Sequence, residues 1–210
     1  MVLRRHPKAL LLDLGDVVIR DPRPRIVEEV VRRERLDPVR VHDSYYRVAL
    51  RLAFGSTGLG EAYSTLRRSL RWSMPYDEFR ELLSSRALVA MPGVLPALRA
   101  LHRQHAVRVV FASNIERVTW EGLCRKFGLN RYADAAALSY RLGTLKPGPR
   151  FYRAALRLAR VSPDEALFLD NLPENVRAAR SLGIPSKTVR SPSDTIWVLR
   201  ELAGTAATRR

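Results

Sequence analysis

Apolar runs and polar stops alternate along this chain with two different periods. Ala9-Leu10-Leu11-Leu12 is an unbroken apolar run closed by Asp13, and Val107 to Ala112, Ala135 to Ser139 and Ala166 to Asp170 repeat the design. Each is a short, aliphatic-rich stretch followed by a polar turn and a helical pattern. Runs of that length without polar interruption suit strands buried on both faces, the mark of a parallel sheet. Three helical patterns lie between them: Glu116 to Phe127, Gly148 to Arg160 with Phe151, Ala155 and Leu158 on one face, and Glu174 to Leu182 with Val176, Ala179 and Leu182 on one face. Gly183 is placed to stop the last of these, and Lys187 to Arg190 predicts a short final strand. Alternating strands and helices imply crossover connections, with helices covering both faces of the sheet.

Residues 22–88 read differently, with helical periodicity and no strand pattern. Ile26, Val27, Val30 and Val31 mark one helix, Tyr46, Leu50 and Phe54 a second, Tyr63, Leu66 and Leu70 a third, and Phe79, Leu82 and Leu83 a fourth. The stretch Gly55-Ser56-Thr57-Gly58-Leu59-Gly60 breaks the set in the middle and reads as a loop, since no strand precedes it as a dinucleotide site requires. The expected fold is therefore α/β. A Rossmann-like parallel sheet core is formed by residues 1–20 and 89–210, and an all-helical cap is inserted at 21–88. Trp72, Tyr45, Tyr46 and Tyr63 fall in the cap, where packing is the default role. Gly204 to Arg210 reads as a frayed tail.

Composition narrows the classes. At 210 residues the chain buries a real core, and its one cysteine, Cys124, excludes an internal disulfide and reads as a buried thiol near a helix end. Met1 to Lys8 is basic, yet only four apolar residues follow before Asp13, too few for a signal peptide. No stretch approaches the ~20 apolar residues of a membrane helix, so a soluble, cytoplasmic protein is expected. The formal charge is +16, of which residues 16–90 carry +3 and residues 91–210 carry +11. The excess is spread over helices, and only four of the 37 basic residues are lysine, a composition that a GC-rich coding sequence produces without any partner. A small anionic substrate fits that field better than nucleic acid does. His6, His42, His102 and His105 show no ligand spacing, and no pattern specifies an oligomeric state.

The chemistry gathers at the strand ends. An ionised carboxylate at the end of a buried strand is costly without compensation, so Asp13 calls for a metal ion, a lysine or backbone N–H groups. Ser113-Asn114 closes a second strand at the expected start of a helix, a favourable place for phosphate. Lys146 precedes Pro147 and the helix containing Phe151, where it can neutralise a phosphate oxygen or hold Asp13 ionised. Asp170-Asn171 closes another strand, and a second carboxylate near Asp13 would make a hard oxygen site suited to Mg²⁺. Singly these signals are bland, because Ser and Asn are preferred helix caps and a lysine is usually solvated. As a set they are not.

Asp13-Leu14-Gly15, Ser113-Asn114, Leu138-Ser139 with Lys146-Pro147, and Asp170-Asn171-Leu172-Pro173-Glu174-Asn175-Val176 with Leu182-Gly183-Ile184 appear in this order over residues 9–184. The set resembles the haloacid dehalogenase (HAD) superfamily of aspartate-nucleophile hydrolases. The likeness is greatest to the branch whose first motif reads Asp-Leu-Gly-x-Val, which includes sugar-1-phosphate phosphatases and lies near the N-terminal domains of epoxide hydrolases. The resemblance implies roles. Asp13 would attack phosphorus and form an aspartyl-phosphate, while its other oxygen, the Gly15 carbonyl and Asp170 would hold Mg²⁺. Ser113 with the Asn114 backbone would bind the phosphoryl oxygens, Lys146 would stabilise their charge, and Asn171 and Asn175 would stand behind the metal site. The expected activity is that of a Mg²⁺-dependent phosphatase of a small phosphorylated metabolite, a sugar phosphate first.

Two positions depart from the family pattern. Most phosphatases of the superfamily have an aspartate two residues after the nucleophile to protonate the leaving oxygen, and here that place is Gly15. Asp16 points to the opposite face of an extended segment and reads as a turn residue. Asn171 replaces a second acid and removes a negative charge from the metal site. Two alternatives follow: a metal-free dehalogenase, which also uses an aspartate nucleophile, and a catalytically impaired binding protein on the same fold. Arg20, Arg23 and Arg25 flank the cap entrance and read as solvated, with one of them available to an anionic ligand.

Overall fold

A computed structural model gives residues 6–105 and 107–207, the last three as backbone alone. In chain order the elements are β1 (Ala9–Leu12), β2 (Ile19–Arg20), α1 (Arg23–Glu34), α2 (Pro38–Phe54), α3 (Leu59–Leu70), α4 (Tyr76–Glu81) and β3 (Val89–Ala90). They continue with α5 (Val94–Arg103), β4 (Arg108–Ser113), α6 (Arg117–Phe127), β5 (Ala135–Leu138), α7 (Ser139–Leu142), α8 (Pro149–Ala159), β6 (Ala166–Asp170), α9 (Pro173–Ser181), β7 (Ser186–Thr188) and α10 (Pro192–Ala207). Five strands form one parallel sheet in the order β5-β4-β1-β6-β7, with Leu12 opposite Phe111 on one side and Leu169 on the other.

Because side chains alternate along a strand, successive residues of β1 serve two different cores. Leu10 and Leu12 join Val109, Phe111, Leu167 and Leu169 in a cluster closed by α5, α6 and α10. Ala9 and Leu11 join Val110, Ala112, Ala166 and Phe168 beneath Phe151, Tyr152 and Ala155 of α8 and Ala179 of α9. Burial on both faces is why these strands read as continuous apolar runs. Helices α1 to α4, with the π-helical turn Leu82–Arg86 after α4, enclose a third cluster around Ile26, Tyr45, Leu66, Trp72 and Phe79. The antiparallel pair β2–β3 brackets this helical segment. Gly122 of α6 lets the π-helical turn approach, since a Cβ there would lie 2.2 Å from the Ser84 carbonyl oxygen. Among the described residues no helix is long and apolar enough to cross a membrane.

Several details differ from the sequence expectation. Tyr46, Leu50 and Phe54 are not the buried stripe of α2. Val41, Tyr45, Val48, Ala49, Leu52 and Ala53 are, leaving Leu50 59% and Phe54 44% exposed. This helix is apolar around much of its circumference, so the period alone admits both stripes. Leu158 likewise faces outward from α8, whose buried side is Phe151, Tyr152, Ala154, Ala155, Leu156 and Ala159. Cys124 is only partly buried. Residues 204–207 continue α10 instead of fraying, and residues 208–210 lie outside the described residues.

Candidate active site

The chain runs from β1 to β4 and β5 on one side and then crosses back to β6 and β7 on the other, so the carboxyl end of β1 lies at the reversal of strand order where open α/β sheets bind ligands. Asp13 sits there, its backbone N–H donating to the Leu169 carbonyl at 3.0 Å. Ser113 is the last residue of β4 and Asp170 the last of β6, and both are buried. Lys146 comes from the loop between α7 and α8 and is buried as well. Four segments far apart in sequence thus deliver four polar groups to one rim.

Lys146 organises them. Its Nζ lies 2.7 Å from Asp13 Oδ1 and 2.7 Å from Asp170 Oδ2. Asp170 also accepts the Leu172 backbone N–H at 2.8 Å and the Asn175 amide at 3.0 and 3.1 Å, so both of its oxygens are satisfied in a fully buried position. Asn114 holds the lysine from behind. Its side chain donates to the Lys146 carbonyl at 2.9 Å and accepts the Lys146 N–H at 2.8 Å, at a Lys146–Pro147 peptide that is cis. Burial pushes the Asp13 carboxyl up to about 6, against the pull of Lys146, and the Asp170 charge adds to the rise. Burial opposes the charge on Lys146 too, yet Asp13 and Asp170 outweigh it and raise its pKa. Two carboxylates and one ammonium leave the cluster one negative charge in excess, a poise that favours a cation.

These groups open on a cavity of about 580 Å³ lined by Asp13, Ser113, Asn114, Lys146, Asn171 and Asn175 together with residues of the helical segment. That size suits a small metabolite. Gly15 lines it, and a Cβ built there meets nothing within 4 Å, so neither crowding nor a left-handed backbone demands glycine. Asp16 is a turn residue at φ 52°, its carboxylate accepting the Asp21 N–H at 2.9 Å. The sequence expectation that Ser113-Asn114 starts a helix needs correction, because α6 begins at Arg117 and a short loop intervenes. Asn114 spends its side chain on Lys146, which leaves only its backbone for a ligand. Asp13, Asp170 and the Gly15 carbonyl are hard oxygen donors, and two carboxylates with room for water match what Mg²⁺ takes. Among the described residues no group of three or more His, Cys, Asp or Glu side chains offers another metal site.

Three side chains make contacts that the sequence reading did not assign. Ser139 is buried and ties three segments together, accepting the Ile115 N–H at 2.9 Å and donating to the Ala53 carbonyl of α2 at 2.5 Å. Arg23 lines the cavity, clamped by two nitrogens on Asp21 at 2.7 to 3.0 Å and lying 5.2 Å over the Tyr46 ring. Glu116 is a buried carboxyl in the cavity wall. In sequence it reads as the first residue of the helix Glu116 to Phe127, which concealed it.

A haloacid dehalogenase-like hydrolase family model matches residues 7–183. The chain is 29% identical over 151 residues to Phosphatase MT3486 of Mycobacterium tuberculosis, covering 71% of this chain and 70% of that protein. It is 38% identical over 55 residues to D-ribitol-5-phosphate phosphatase of Bacteroides thetaiotaomicron, 26% of this chain and 27% of that one. Its match to Bifunctional epoxide hydrolase 2 of Rattus norvegicus, 30% identical over 77 residues, covers 37% of this chain and spans only 14% of that longer protein. Among solved structures, the HAD family enzyme BT-2542 of Bacteroides thetaiotaomicron, in complex with magnesium and inorganic phosphate, superposes with a TM-score of 0.72 at 23% identity, covering 88% of this chain and 95% of that one.

Proposed function

The chain belongs to the haloacid dehalogenase-like hydrolases, and on that footing we propose that it is a Mg²⁺-dependent phosphatase of a small phosphorylated metabolite, with sugar phosphates favoured. The observation that carries the reading is the buried lysine held 2.7 Å from each of two strand-end carboxylates at the floor of a metabolite-sized cavity. The phosphatases among the relatives support it. In this reading residues 1–20 and 89–210 are the catalytic core and 21–88 the cap that closes on substrate. Asp13 attacks phosphorus, the bond to the leaving oxygen breaks, and an aspartyl-phosphate forms that water later hydrolyses. Ser113 and the Asn114 N–H bind phosphoryl oxygens, and Lys146 offsets their charge. Asn175 holds Asp170 in place, and Asn171 lines the same rim. Asp13, the Gly15 carbonyl and Asp170 would hold Mg²⁺, which when bound neutralises the transferring group.

Gly15 supplies no proton to the leaving oxygen, so groups that depart as weak bases, such as anomeric, acyl or aryl oxygens, are the better substrates. Gly15→Asp tests this directly. The open space around Gly15 predicts a melting temperature within about 2 °C of wild type. Alkyl phosphate turnover should rise, since a positioned acid is worth about 10²- to 10⁴-fold. An unchanged ratio of alkyl to aryl turnover counts against the idea.

The function itself is tested by phosphate release across a metabolite panel with Mg²⁺ and with EDTA. Turnover is expected with the metal and background with the chelator, alongside heat of Mg²⁺ binding in calorimetry. Halide release from 2-haloacids without metal would replace the reading with a dehalogenase. Silence in both assays with no Mg²⁺ heat would leave a binding protein.

A further inference from the structure

Glu116 is a carboxyl in the active-site cavity that phosphoryl transfer does not use. It lies three residues beyond Ser113, on the loop that leaves β4 for α6, and is 9% exposed. Although it immediately precedes α6, its side chain makes no capping hydrogen bond. Instead Oε1 accepts the Thr119 hydroxyl at 2.6 Å, and Thr119 lines the cavity too. Among the described residues no cation lies within ion-pair distance of Glu116. Its neighbourhood is already committed: Arg23 is held by Asp21, and Asp16 takes the Asp21 N–H. Of the other cations lining the cavity, Lys146 is held by Asp13 and Asp170, and Arg47 is exposed. Burial, the strongest influence on Glu116, raises its pKa against the Thr119 hydroxyl, its own backbone N–H and the more distant Arg23 charge, part of which Asp21 cancels. A buried carboxyl bordering a cavity, with a single side-chain partner, is a costly arrangement unless something in the cavity pairs with it.

Resting on the phosphatase reading, we propose that Glu116 binds a hydroxyl group of the leaving alcohol, so that the substrate is the phosphate monoester of a neutral polyhydroxy compound. A polyol or sugar hydroxyl donates to the carboxylate and restores the pairing that burial denies it. A second phosphate or a carboxylate on the same substrate would instead meet Glu116, Asp16 and Asp21, with Arg23 already neutralised. The chain's overall charge of +16 thus does not extend to this part of the wall. Sites built to hydrogen-bond a substrate hydroxyl discriminate strongly against analogues that lack it, because the protein group is then left buried and unpaired.

The test compares ribose 1-phosphate, whose leaving oxygen is anomeric, with p-nitrophenyl phosphate and ribose 1,5-bisphosphate on wild type, Glu116→Gln and Glu116→Leu, all with Mg²⁺. Wild type is expected to prefer the monophosphate to the bisphosphate. The ratio of kcat/KM for ribose 1-phosphate to that for p-nitrophenyl phosphate should fall about tenfold in Glu116→Leu, mainly through KM, and less in Glu116→Gln, whose amide oxygen still accepts a hydrogen bond. Should Glu116→Leu fail to fold, a threefold fall in the near-isosteric Gln variant decides. A ratio unchanged within twofold in the folded variants, or a wild-type preference for the bisphosphate, overturns the proposal. If p-nitrophenyl phosphate turnover depends on Asp13 while the ratio stays fixed, Glu116 is structural and the phosphatase reading survives. Wild-type inactivity on all three substrates overturns both.

Discussion

Replacing Asp13 with asparagine is expected to abolish turnover, by at least about 10⁴-fold in kcat, while leaving the fold as stable as before or more so. The two halves have one cause. The carboxylate is buried and carries a pKa pushed up to about 6, so ionising it at neutral pH costs folding free energy that an uncharged asparagine does not. Asparagine keeps an oxygen for Lys146 Nζ and removes the charge, but its amide cannot act as the attacking oxygen anion. Lys146 retains Asp170 at 2.7 Å, so no buried ammonium is stranded. Phosphate release and urea denaturation on the same preparation provide the check. Residual activity within tenfold of wild type would remove Asp13 from the mechanism. A destabilisation above about 2 kcal/mol would show that the carboxylate serves the fold.

What the sequence revealed follows the strength of each physical signal. The strands β1, β4, β5 and β6 were legible because burial on both faces forces unbroken apolar runs. Asp13, Ser113 and Asp170 were legible because a polar group ending such a run needs a reason, and Lys146 by its place ahead of Pro147 and a helix. The pair β2–β3 was not, since two residues per strand carry no period. Helix α10 announces itself by Ser191-Pro192, with the Ser191 hydroxyl accepting the Asp194 N–H at 3.2 Å, a start signal that sequence reasoning passed over. Asn114 and Ser139 show a further limit. Their types suggest caps or ligand contacts, whereas their work is to pin the Lys146 loop and the end of α2, contacts made 32 and 86 residues away.

Removing the ammonium has the opposite thermodynamic signature from Asp13→Asn. Lys146→Ala is expected to cost about 3–5 kcal/mol at neutral pH, because Asp13 and Asp170 are left facing each other in a buried site without their cation. The sign of the pH dependence follows from the protons bound. In wild type Asp13 is raised from 3.8 to about 6, so between those values the folded chain holds more proton than the unfolded one, and this group's contribution to stability falls as pH rises through the window. Without Lys146 the carboxyls lose the influence that drew Asp13 down, and the window extends toward neutrality. The variant should therefore recover part of its loss between about pH 7.5 and pH 5, where one carboxyl takes up a proton and shares it with the other. Urea denaturation of both proteins at the two pH values measures the difference. Combining the changes sharpens it: Asp13→Asn in the Lys146→Ala background removes one of the two opposed charges, so the double variant should be more stable than the single lysine variant at neutral pH. Equal losses at both pH values, or a double variant less stable than Lys146→Ala, would mean that packing of the lysine stem, and not its charge, secures the strand ends.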